Sequence, residues 1–379
     1  MNPAPVIPAK AGIQFSCRAT VRRSWIPACA GMTGLFWAGL ALLATDARAA
    51  TERVGSLDGV AIIDRLDTAD LPAGQLQRFW FRAGGNGIGQ GWQVPVIVVK
   101  GARPGPRLLV TAGIHGDELN GISVVHRLAT IDPATLTGTL VLVPGLNTPA
   151  LIASTREFPD GSNLNRVMPG AETGAAQRYA RQLWTRLLRP NADAAVDLHT
   201  QSRGTAYVMY AFASTPRTRR MAELVGPDII KMDTGDKGTV ENELTGDGVP
   251  AITFELGRPE VFDADSVARG LSGLRNLMTE MGMIAGTVQA TTPFVSNRIQ
   301  PVRTSRAGWM TLLVPLGADV TRGQPLATIA DPFGRVIETV AAPETGRINT
   351  IATDPRRDAG DMVARIVWWD PDPKCALGC

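Results

Sequence analysis

Three residues in two short segments have the types and spacing of metal ligands. His115 and Glu118 are separated by two residues in the segment 113–118, and His199 ends a separate apolar run. An imidazole and a carboxylate at this spacing, on a loop or a first helical turn, can converge on one point, and Zn²⁺ accepts both at about 2.0–2.2 Å. Two histidines and one glutamate are a ligand set of catalytic zinc sites, which leave a fourth position for water. The sequence therefore predicts one zinc ion per chain.

The chain contains three histidines, and the remaining one, His126, has a different setting. It lies within residues 122–128, an apolar pattern of helical period, and this pattern indicates a structural position. The alternative for His115 and His199 is that each is an ordinary loop or core residue. Their occurrence at the ends of two predicted strands, one with Glu118 close by, favours the metal site.

A lone acid, Glu255, stands at the end of another apolar run, residues 251–254. An acid at the end of a buried strand is costly unless it is paired or used. Glu255 is therefore a candidate general base for hydrolysis, and a structural salt bridge is the alternative.

A long segment without clear periodicity, residues 144–170, contains Arg156, Asn165 and Arg166. Loops of this length inside compact domains are usually functional. An Asn–Arg pair can bind a carboxylate through a bidentate guanidinium and an amide donor. Arg156 could stabilise the negative charge that develops on a scissile carbonyl oxygen. The alternative for each arginine is a surface position.

Apolar runs bounded by turn residues predict the elements that carry these side chains. Alternation of strands and helices indicates an α/β fold, with a mixed, largely parallel sheet and helices on both faces. Open sheets of this kind place their chemistry at strand ends. The predicted strands are 75–81, 93–100, 108–111, 139–143, 194–199, 207–212, 229–232 and 251–255, and the predicted helices are 121–129, 175–188, 218–225 and 264–283.

The pattern changes after residue 286, where short alternating runs separated by Gly and Pro predict a small all-β domain. Residues 317–346 resemble a lipoyl/biotinyl-like barrel, but no lysine lies between Lys237 and Lys374, which excludes a lysine-borne swinging arm. The predicted domains are a leader (1–49), a catalytic domain (50–288), a C-terminal β-domain (289–372) and a tail (373–379). Cys375 and Cys379 in the tail could form a small disulfide or stay unpaired.

The leader has the features of a secretory signal peptide. Residues 34–43 are an apolar stretch of ten, too short to span a bilayer, and Ala47-Arg48-Ala49 is a cleavage pattern that follows it. We expect cleavage near Ala49 and a periplasmic or secreted protein without a membrane span in its mature form. A buried N-terminal helix is the alternative. The true start could also lie further in, near Met32, and the protein would be cytoplasmic if the leader is a mis-assigned start.

Charge excludes one class of partner. The formal charge of +3 is concentrated in the first 49 residues, which carry +4, so residues 50–379 carry −1. Residues 50–379 therefore lack the excess positive charge that nucleic-acid binding requires.

Taken together, the motifs resemble the succinylglutamate desuccinylase/aspartoacylase family, whose members are deacylases built on the zinc carboxypeptidase fold. The resemblance covers about residues 93–283 and departs from the family at Asn163, where an Asp is usual, and at Met168, where a Phe is usual. We expect the first departure to loosen how Arg166 is held. The matching motifs are Gly113-x-His115-Gly-Asp-Glu118, Asn165-Arg166 with Pro169-Gly170, Asp197-Leu-His199 and Glu255-x-Gly257.

The resemblance implies a role for each site residue. His115, Glu118 and His199 would bind zinc, and Glu255 would be the base and proton shuttle. Arg156 would polarise the carbonyl, and Asn165 with Arg166 would bind the substrate carboxylate.

We therefore expect a zinc-dependent amidohydrolase that deacylates N-acyl amino acids bearing a free carboxylate. One alternative is a carboxypeptidase or peptide amidase, with cell-wall peptides as candidate substrates. A non-catalytic ligand-binding protein on the same fold is an alternative of another class. The sequence leaves open the acyl group, the amino acid and the oligomeric state.

Overall fold

The computed structural model describes residues 50–378. The predicted leader and Cys379 lie outside this range. Within it, no helix is long and apolar enough to cross a membrane.

The first two thirds of the described chain alternate strands and helices. The strands are β1 (Glu52–Leu57), β2 (Val60–Arg65), β3 (Gln75–Gly85), β4 (Gly91–Lys100), β5 (Arg103–Ala112), β6 (Thr137–Val143), β7 (Ala194–His199), β8 (Thr205–Tyr207), β9 (Met209–Ala213), β10 (Ile229–Met232) and β11 (Ala251–Leu256). The helices are α1 (Asn120–Leu128), α2 (Thr148–Ala153), α3 (Ala175–Leu183), α4 (Pro216–Val225), α5 (Val240–Gly246) and α6 (Ala264–Glu280).

The remaining strands are short and form the C-terminal part of the chain. They are β12 (Phe294–Ser296), β13 (Arg298–Arg303), β14 (Gly308–Leu312), β15 (Asp319–Val320), β16 (Pro325–Ala330), β17 (Val336–Ala341), β18 (Gly346–Ala352), β19 (Arg356–Arg357) and β20 (Met362–Trp368).

An 11-stranded mixed sheet in the order β1-β2-β3-β4-β6-β5-β7-β11-β9-β10-β12 forms the centre of the fold. Its middle strands, β6, β5, β7 and β11, are parallel to one another, and β9 joins β11 antiparallel. This confirms the predicted α/β fold with a mixed sheet.

Each central strand is buried on both faces, and alternate residues enter different apolar clusters. In β7, Val196 and Leu198 pack into the cluster that contains side chains of α1, α4 and α6. Ala195 packs into the cluster on the other face, with side chains of α3 and α5. Side chains alternate along a strand, so Asp197 and His199 lie on the face of Ala195. Helices therefore cover both faces, as the sequence predicted.

Local deviations from the predicted elements have identifiable causes. The predicted strand 207–212 is interrupted at Val208. The amide of Val208 donates to the carbonyl of Asn349 in β18, and only the residues after it, in β9, belong to the 11-stranded sheet. The predicted helix 175–188 changes at Trp184 into a π-helical turn, Trp184–Leu188. The long segment 144–170 contains α2 and a short 3₁₀ turn, Leu164–Arg166. Strands β1 and β2 were not predicted, because their residues are largely exposed or only partly buried.

The C-terminal all-β region is present as predicted. It forms a sheet in the order β13-β20-β18-β15, to which β8 adds by pairing with β18, and a second sheet in the order β17-β16-β14-β19. Strand β12 instead extends the large sheet beside β10. The lipoyl/biotinyl-like barrel stays a prediction. In the tail, Cys375 is disulfide-bonded.

Candidate functional site

The register of three parallel strands brings the predicted site residues to one edge of the sheet. Thr111 of β5 lies opposite Asp197 of β7, and His199 of β7 lies opposite Glu255 of β11. In β5 and β11, as in β7, the apolar residues on either side of these positions enter the cluster of α1, α4 and α6. Their polar side chains therefore share the opposite face, at the carboxyl ends of the strands.

His115, Glu118 and His199 form a buried group that could hold a metal ion. One potential ligand atom from each residue lies within 4.8 Å of the others. His115 Nδ1 is 2.7 Å from Glu118 Oε1, and His199 Nδ1 is 2.8 Å from Glu118 Oε2. The structure thus brings together all three residues that the sequence predicted as ligands. His126 is exposed on α1 and is not a member of the group.

The loop after β5 is shaped by two glycines so that His115 and Glu118 meet. Gly113 has a φ of +70°, a left-handed conformation that glycine adopts without strain. A Cβ on Gly116 would lie 2.1 Å from the carbonyl oxygen of Ala150, so only glycine allows this approach to α2. The Gly116 amide also donates to the carbonyl of Thr155, which fixes the loop against the segment that carries Arg156.

The second nitrogen of each histidine faces an oxygen atom. His115 Nε2 is 3.1 Å from Asn163 Oδ1, and His199 Nε2 is 2.9 Å from Asp197 Oδ2. Asp197 Oδ1 accepts a hydrogen bond from Thr111 Oγ1 at 2.6 Å. Without a metal, Nδ1 of each ring also faces an oxygen of Glu118. When a cation replaces the proton at Nδ1, the oxygen partner on Nε2 holds the remaining proton there and leaves the Nδ1 lone pair for the metal. Two imidazole lone pairs and a carboxylate then face one another, and this donor set fits a divalent cation such as zinc.

Without a metal ion, the charges of this buried group act strongly on one another's pKa values. Burial raises the pKa of Glu118, but the charges of His115 and His199 outweigh it and hold the pKa well below its ordinary value. Burial lowers the pKa of His199, but the charges of Asp197 and Glu118 outweigh it and raise the pKa well above its ordinary value.

Glu255 lies beside this group and is an unpaired acid. It is 7% exposed, and its Oε2 atom is buried without a hydrogen-bond partner among the described residues. Burial raises the pKa of Glu255 well above its ordinary value; the charge of His199 opposes the rise, and that of Glu118 adds to it. No salt bridge to Glu255 occurs within residues 50–378, so the structural alternative for this residue has no support.

Arg156 reaches the same group from the long loop. Its Nη1 atom is 2.9 Å from Glu118 Oε1 and also contacts the hydroxyl of Ser202. Ser202 Oγ and the amide of Thr200 donate to Glu118 as well, at 3.2 Å each. The Glu118 carboxylate is therefore held by several donors around the predicted metal position.

Asn165 and Arg166 line the cavity next to the group, and each has a hydrogen-bond partner from a loop or helix further along the chain. Arg166 Nη2 is 2.5 Å from Asp236 Oδ2, and Asn165 Oδ1 accepts from the amide of Val240 at 3.0 Å. Asn163 Oδ1 contacts His115 Nε2 and the Asn165 amide, and the Asn163 carbonyl accepts from the Arg166 amide at 3.0 Å. The Arg166 side chain pairs with Asp236. The expectation that Asn163 loosens how Arg166 is held stays a prediction.

The cavity has a volume of about 370 Å³ and is lined by side chains that sequence reasoning missed. Asp197 does not line the cavity, and the sequence named it only within the family motif. Its contact with His199 could have been predicted, since it lies two residues earlier on a strand and shares the same face. The missed residues of the lining come from loops, from β8, β9, β10 and α5, or from the β-domain, and they left no local signal. They include Asp236, Lys231, Tyr207, Tyr210, Glu241 and Arg365.

Comparison with known proteins gives a consistent family. Residues 104–281 match the model of the succinylglutamate desuccinylase/aspartoacylase catalytic domain. N-alpha-acetyl-L-2,4-diaminobutyric acid deacetylase from Halomonas elongata is 30% identical over 254 residues, which are 63% of this chain and 74% of the relative. Succinylglutamate desuccinylase from Burkholderia cenocepacia is 30% identical over 184 residues, which are 43% of this chain and 52% of that relative.

Solved structures agree with the sequence relatives. The product-bound structure of the ectoine utilization protein EutE (DoeB) from Ruegeria pomeroyi superimposes with a TM-score of 0.70 at 25% identity, over 78% of this chain and 97% of that chain. A succinylglutamate desuccinylase/aspartoacylase structure from Rhodobacter sphaeroides has a TM-score of 0.70 at 25% identity, over 79% of this chain and 98% of that chain. The chain belongs to the succinylglutamate desuccinylase/aspartoacylase family.

Proposed function

We propose that this protein is a zinc-dependent hydrolase that cleaves the amide bond of N-acyl amino acids bearing a free carboxylate. The observation that carries the proposal is the register of β7 and β11, which places the unpaired acid Glu255 beside the buried group of His115, Glu118 and His199. The names of the relatives from Halomonas elongata and Burkholderia cenocepacia, a deacetylase and a desuccinylase, support removal of an acyl group from an amino acid.

Each step of amide hydrolysis is assigned to a particular group of the site. A zinc ion held by the buried group would act as a Lewis acid toward water and the scissile carbonyl. Glu255 takes a proton from the attacking water and passes it to the leaving amine. Its raised pKa suits this role, since a general base works best with a pKa near the working pH. Arg156 donates to the carbonyl oxygen as negative charge develops there.

The substrate carboxylate binds on Asn165 and Arg166, which line the same cavity. Asp236 orients the Arg166 guanidinium, which has five N–H donors and therefore keeps donors free for a second anion. The amide nitrogen of Asn165 donates to no other residue of the described range and adds a third donor. A carboxylate held there by a bidentate, charge-assisted contact positions the amide over the metal group.

A substrate panel on zinc-loaded protein tests the proposal. N-acetyl and N-succinyl amino acids, their amides and short peptides would be compared, before and after removal of zinc with a chelator. We expect turnover of free-acid N-acyl amino acids, its loss with the metal and its return when zinc is restored. Faster turnover of peptides would replace the proposal by the carboxypeptidase alternative. Tight zinc binding without hydrolysis of any amide would favour a binding protein.

A further inference from the structure

The cavity contains one acid that has neither a charged partner nor a part in the proposed reaction. Glu241, from the first turn of α5, lines the cavity. Its Oε2 atom is buried without a hydrogen-bond partner, and no salt bridge to this side chain occurs within residues 50–378. Each of the other acids of the lining is paired with a cation or belongs to the reactive group. The pairs are Asp233–Lys231 and Asp236–Arg166, and the reactive acids are Glu118 and Glu255.

A structural role at the start of the helix does not account for Glu241. The helix dipole favours an acid in the first turn, and α5 has two there, Glu241 and Glu243. Glu243 Oε1 accepts a hydrogen bond from the Gly238 amide at 2.8 Å. The Thr239 side chain caps the helix by accepting from the Asn242 amide. Two other side chains thus satisfy amides at the start of α5, whereas Glu241 faces the cavity.

Helix α5 places Glu241 beside β11, towards the amino end of the strand. Apolar side chains of α5 pack with Ala251 of β11 in one cluster. Ala251, Thr253 and Glu255 share one face of the strand, because side chains alternate along it. Thr253 and Glu255 line the cavity, Ala251 lines a small adjoining pocket, and Glu241 lines both. Each step of two residues along a strand spans about 7 Å. A short carbon chain can therefore lead from the proposed base towards Glu241.

The same segment contacts the proposed carboxylate site. Asn165 Oδ1 accepts a hydrogen bond from the amide of Val240, the residue directly before Glu241. In the proposed function, Asn165 and Arg166 bind the carboxylate of the amino-acid part of the substrate. Glu241 thus adjoins the position of the amino acid.

The surroundings of Glu241 suit a positively charged group. Burial raises the pKa of Glu241, the charge of Asp197 adds to the rise, and the charge of His199 opposes it. A cation beside the carboxylate would favour its ionised form and supply the missing partner. Phe212 lines the same two spaces, and the face of an aromatic ring attracts an ammonium group.

We propose that Glu241 binds an ammonium group at the end of a short side chain of the substrate's amino acid, so that the preferred substrates are N-acylated diamino acids. This inference rests on the proposed function and names the substrate class of the same site. An ammonium group on the acyl part, as in a peptide with a free amino end, offers the same charge. The contact between Asn165 and Val240 favours the amino-acid side, and the experiment separates the two sources.

Substrates that differ in charge test the assignment in the native protein, Glu241→Gln and Glu241→Asp. Nα-acetylornithine carries the ammonium group, Nα-acetylnorleucine is its uncharged counterpart of equal length, and glycylnorleucine carries the ammonium group on the acyl part. The native protein should have a lower KM for Nα-acetylornithine than for Nα-acetylnorleucine by about 10- to 150-fold, as expected for a charge-assisted contact. Glu241→Gln should abolish this difference by raising KM for Nα-acetylornithine alone, with kcat little changed. Glu241→Asp should retain part of the difference.

A matched control and a binding measurement keep the outcome separate from folding and from hydrolysis. Glu243→Gln is the same substitution two residues later on α5, outside the cavity lining. Glutamine keeps an acceptor for the Gly238 amide, so the kinetics should equal those of the native protein. Calorimetric titration of the zinc-loaded protein with free ornithine and free norleucine should show a preference for ornithine that Glu241→Gln abolishes.

The outcomes distinguish this inference from the proposed function. Hydrolysis of Nα-acetylornithine and Nα-acetylnorleucine with equal KM would leave the proposed function standing and overturn the inference. A preference for ornithine that persists in folded Glu241→Gln, or an effect of this substitution on glycylnorleucine instead, would also overturn it. Preferential binding of ornithine through Glu241 without hydrolysis of any amide would support the contact and overturn the proposed function.

Discussion

Replacing Asp197 by asparagine tests whether the oxygen partner of His199 Nε2 holds this imidazole in its metal-binding form. Asp197 is 1% exposed, and both of its oxygens accept hydrogen bonds, from His199 Nε2 at 2.9 Å and from Thr111 Oγ1 at 2.6 Å. Asparagine has the same shape but one acceptor and one donor. If its oxygen stays on His199, the NH₂ group faces Thr111, whose hydroxyl must rotate to accept. If the amide turns over, its NH₂ group favours a proton on Nδ1 and removes the metal-binding lone pair.

The expected magnitude follows from this geometry. A metal-binding histidine that loses the hydrogen-bond partner of its other ring nitrogen typically binds the metal about 10- to 100-fold less tightly. This loss corresponds to about 1.4–2.7 kcal/mol. We expect about 10-fold for Asp197→Asn, since Thr111 can reverse its hydrogen bond and keep the amide in the favourable orientation.

Competition for zinc against a chromophoric chelator measures this affinity, with circular dichroism and thermal unfolding as checks on the fold. Asp193→Asn is the matched control. It is the same substitution four residues earlier, and it weakens a partly exposed ion pair with Arg107 at the start of β7. Its zinc affinity should equal that of the native protein. If folded Asp197→Asn binds zinc as tightly as the native protein, the role assigned to the Asp197–His199 contact is wrong.

Four further results are expected. Glu255→Gln should lower kcat by about 10²–10⁴-fold with zinc content intact, and unchanged kcat would remove Glu255 from the mechanism. In metal-free protein the same substitution should raise the unfolding temperature at about pH 8 but not below about pH 4. Because the pKa of Glu255 is raised in the folded state, ionising this side chain destabilises the fold, and the destabilisation appears as the pH rises above 4.5, the pKa in the unfolded chain. Equal shifts in unfolding temperature at both pH values would contradict this. Arg166→Ala should raise KM for free-acid substrates by about 10- to 150-fold, and amidated substrates, which lack the anion, should show no such change. Protein purified from its own host should begin near Ala50 on N-terminal sequencing, and an intact leader in the cytoplasm would refute export.

Residues whose role is set by local pattern could be predicted from the sequence. Strands β7 and β10 have the predicted bounds, because each is an apolar run between turn residues. His115, Glu118 and His199 could be grouped because strand ends at one edge of an α/β sheet must meet. Asp197 follows from strand periodicity alone.

Residues whose role depends on nonlocal register could not be predicted. Arg365 lies in an ordinary alternating strand, and only the pairing of β8 with β18 and of β18 with β20 brings it to Tyr207. Asp236 reaches Arg166 from 70 residues further along the chain. Such contacts arise from tertiary packing, which leaves no trace in the local spacing of polar and apolar residues.

Three of the buried polar atoms without hydrogen-bond partners lie at the cavity, and they give a further reason to regard it as a binding site. Native proteins pair nearly all their buried polar atoms, so each exception requires a cause. Glu255 Oε2, Tyr210 Oη and Glu241 Oε2 are buried without hydrogen-bond partners, and all three residues line the same cavity. A folded state that leaves one oxygen of each of two acids and a phenol oxygen without a hydrogen bond gives up stability at this place. A bound substrate can supply the missing partners, so the same groups that destabilise the free protein select what enters the site.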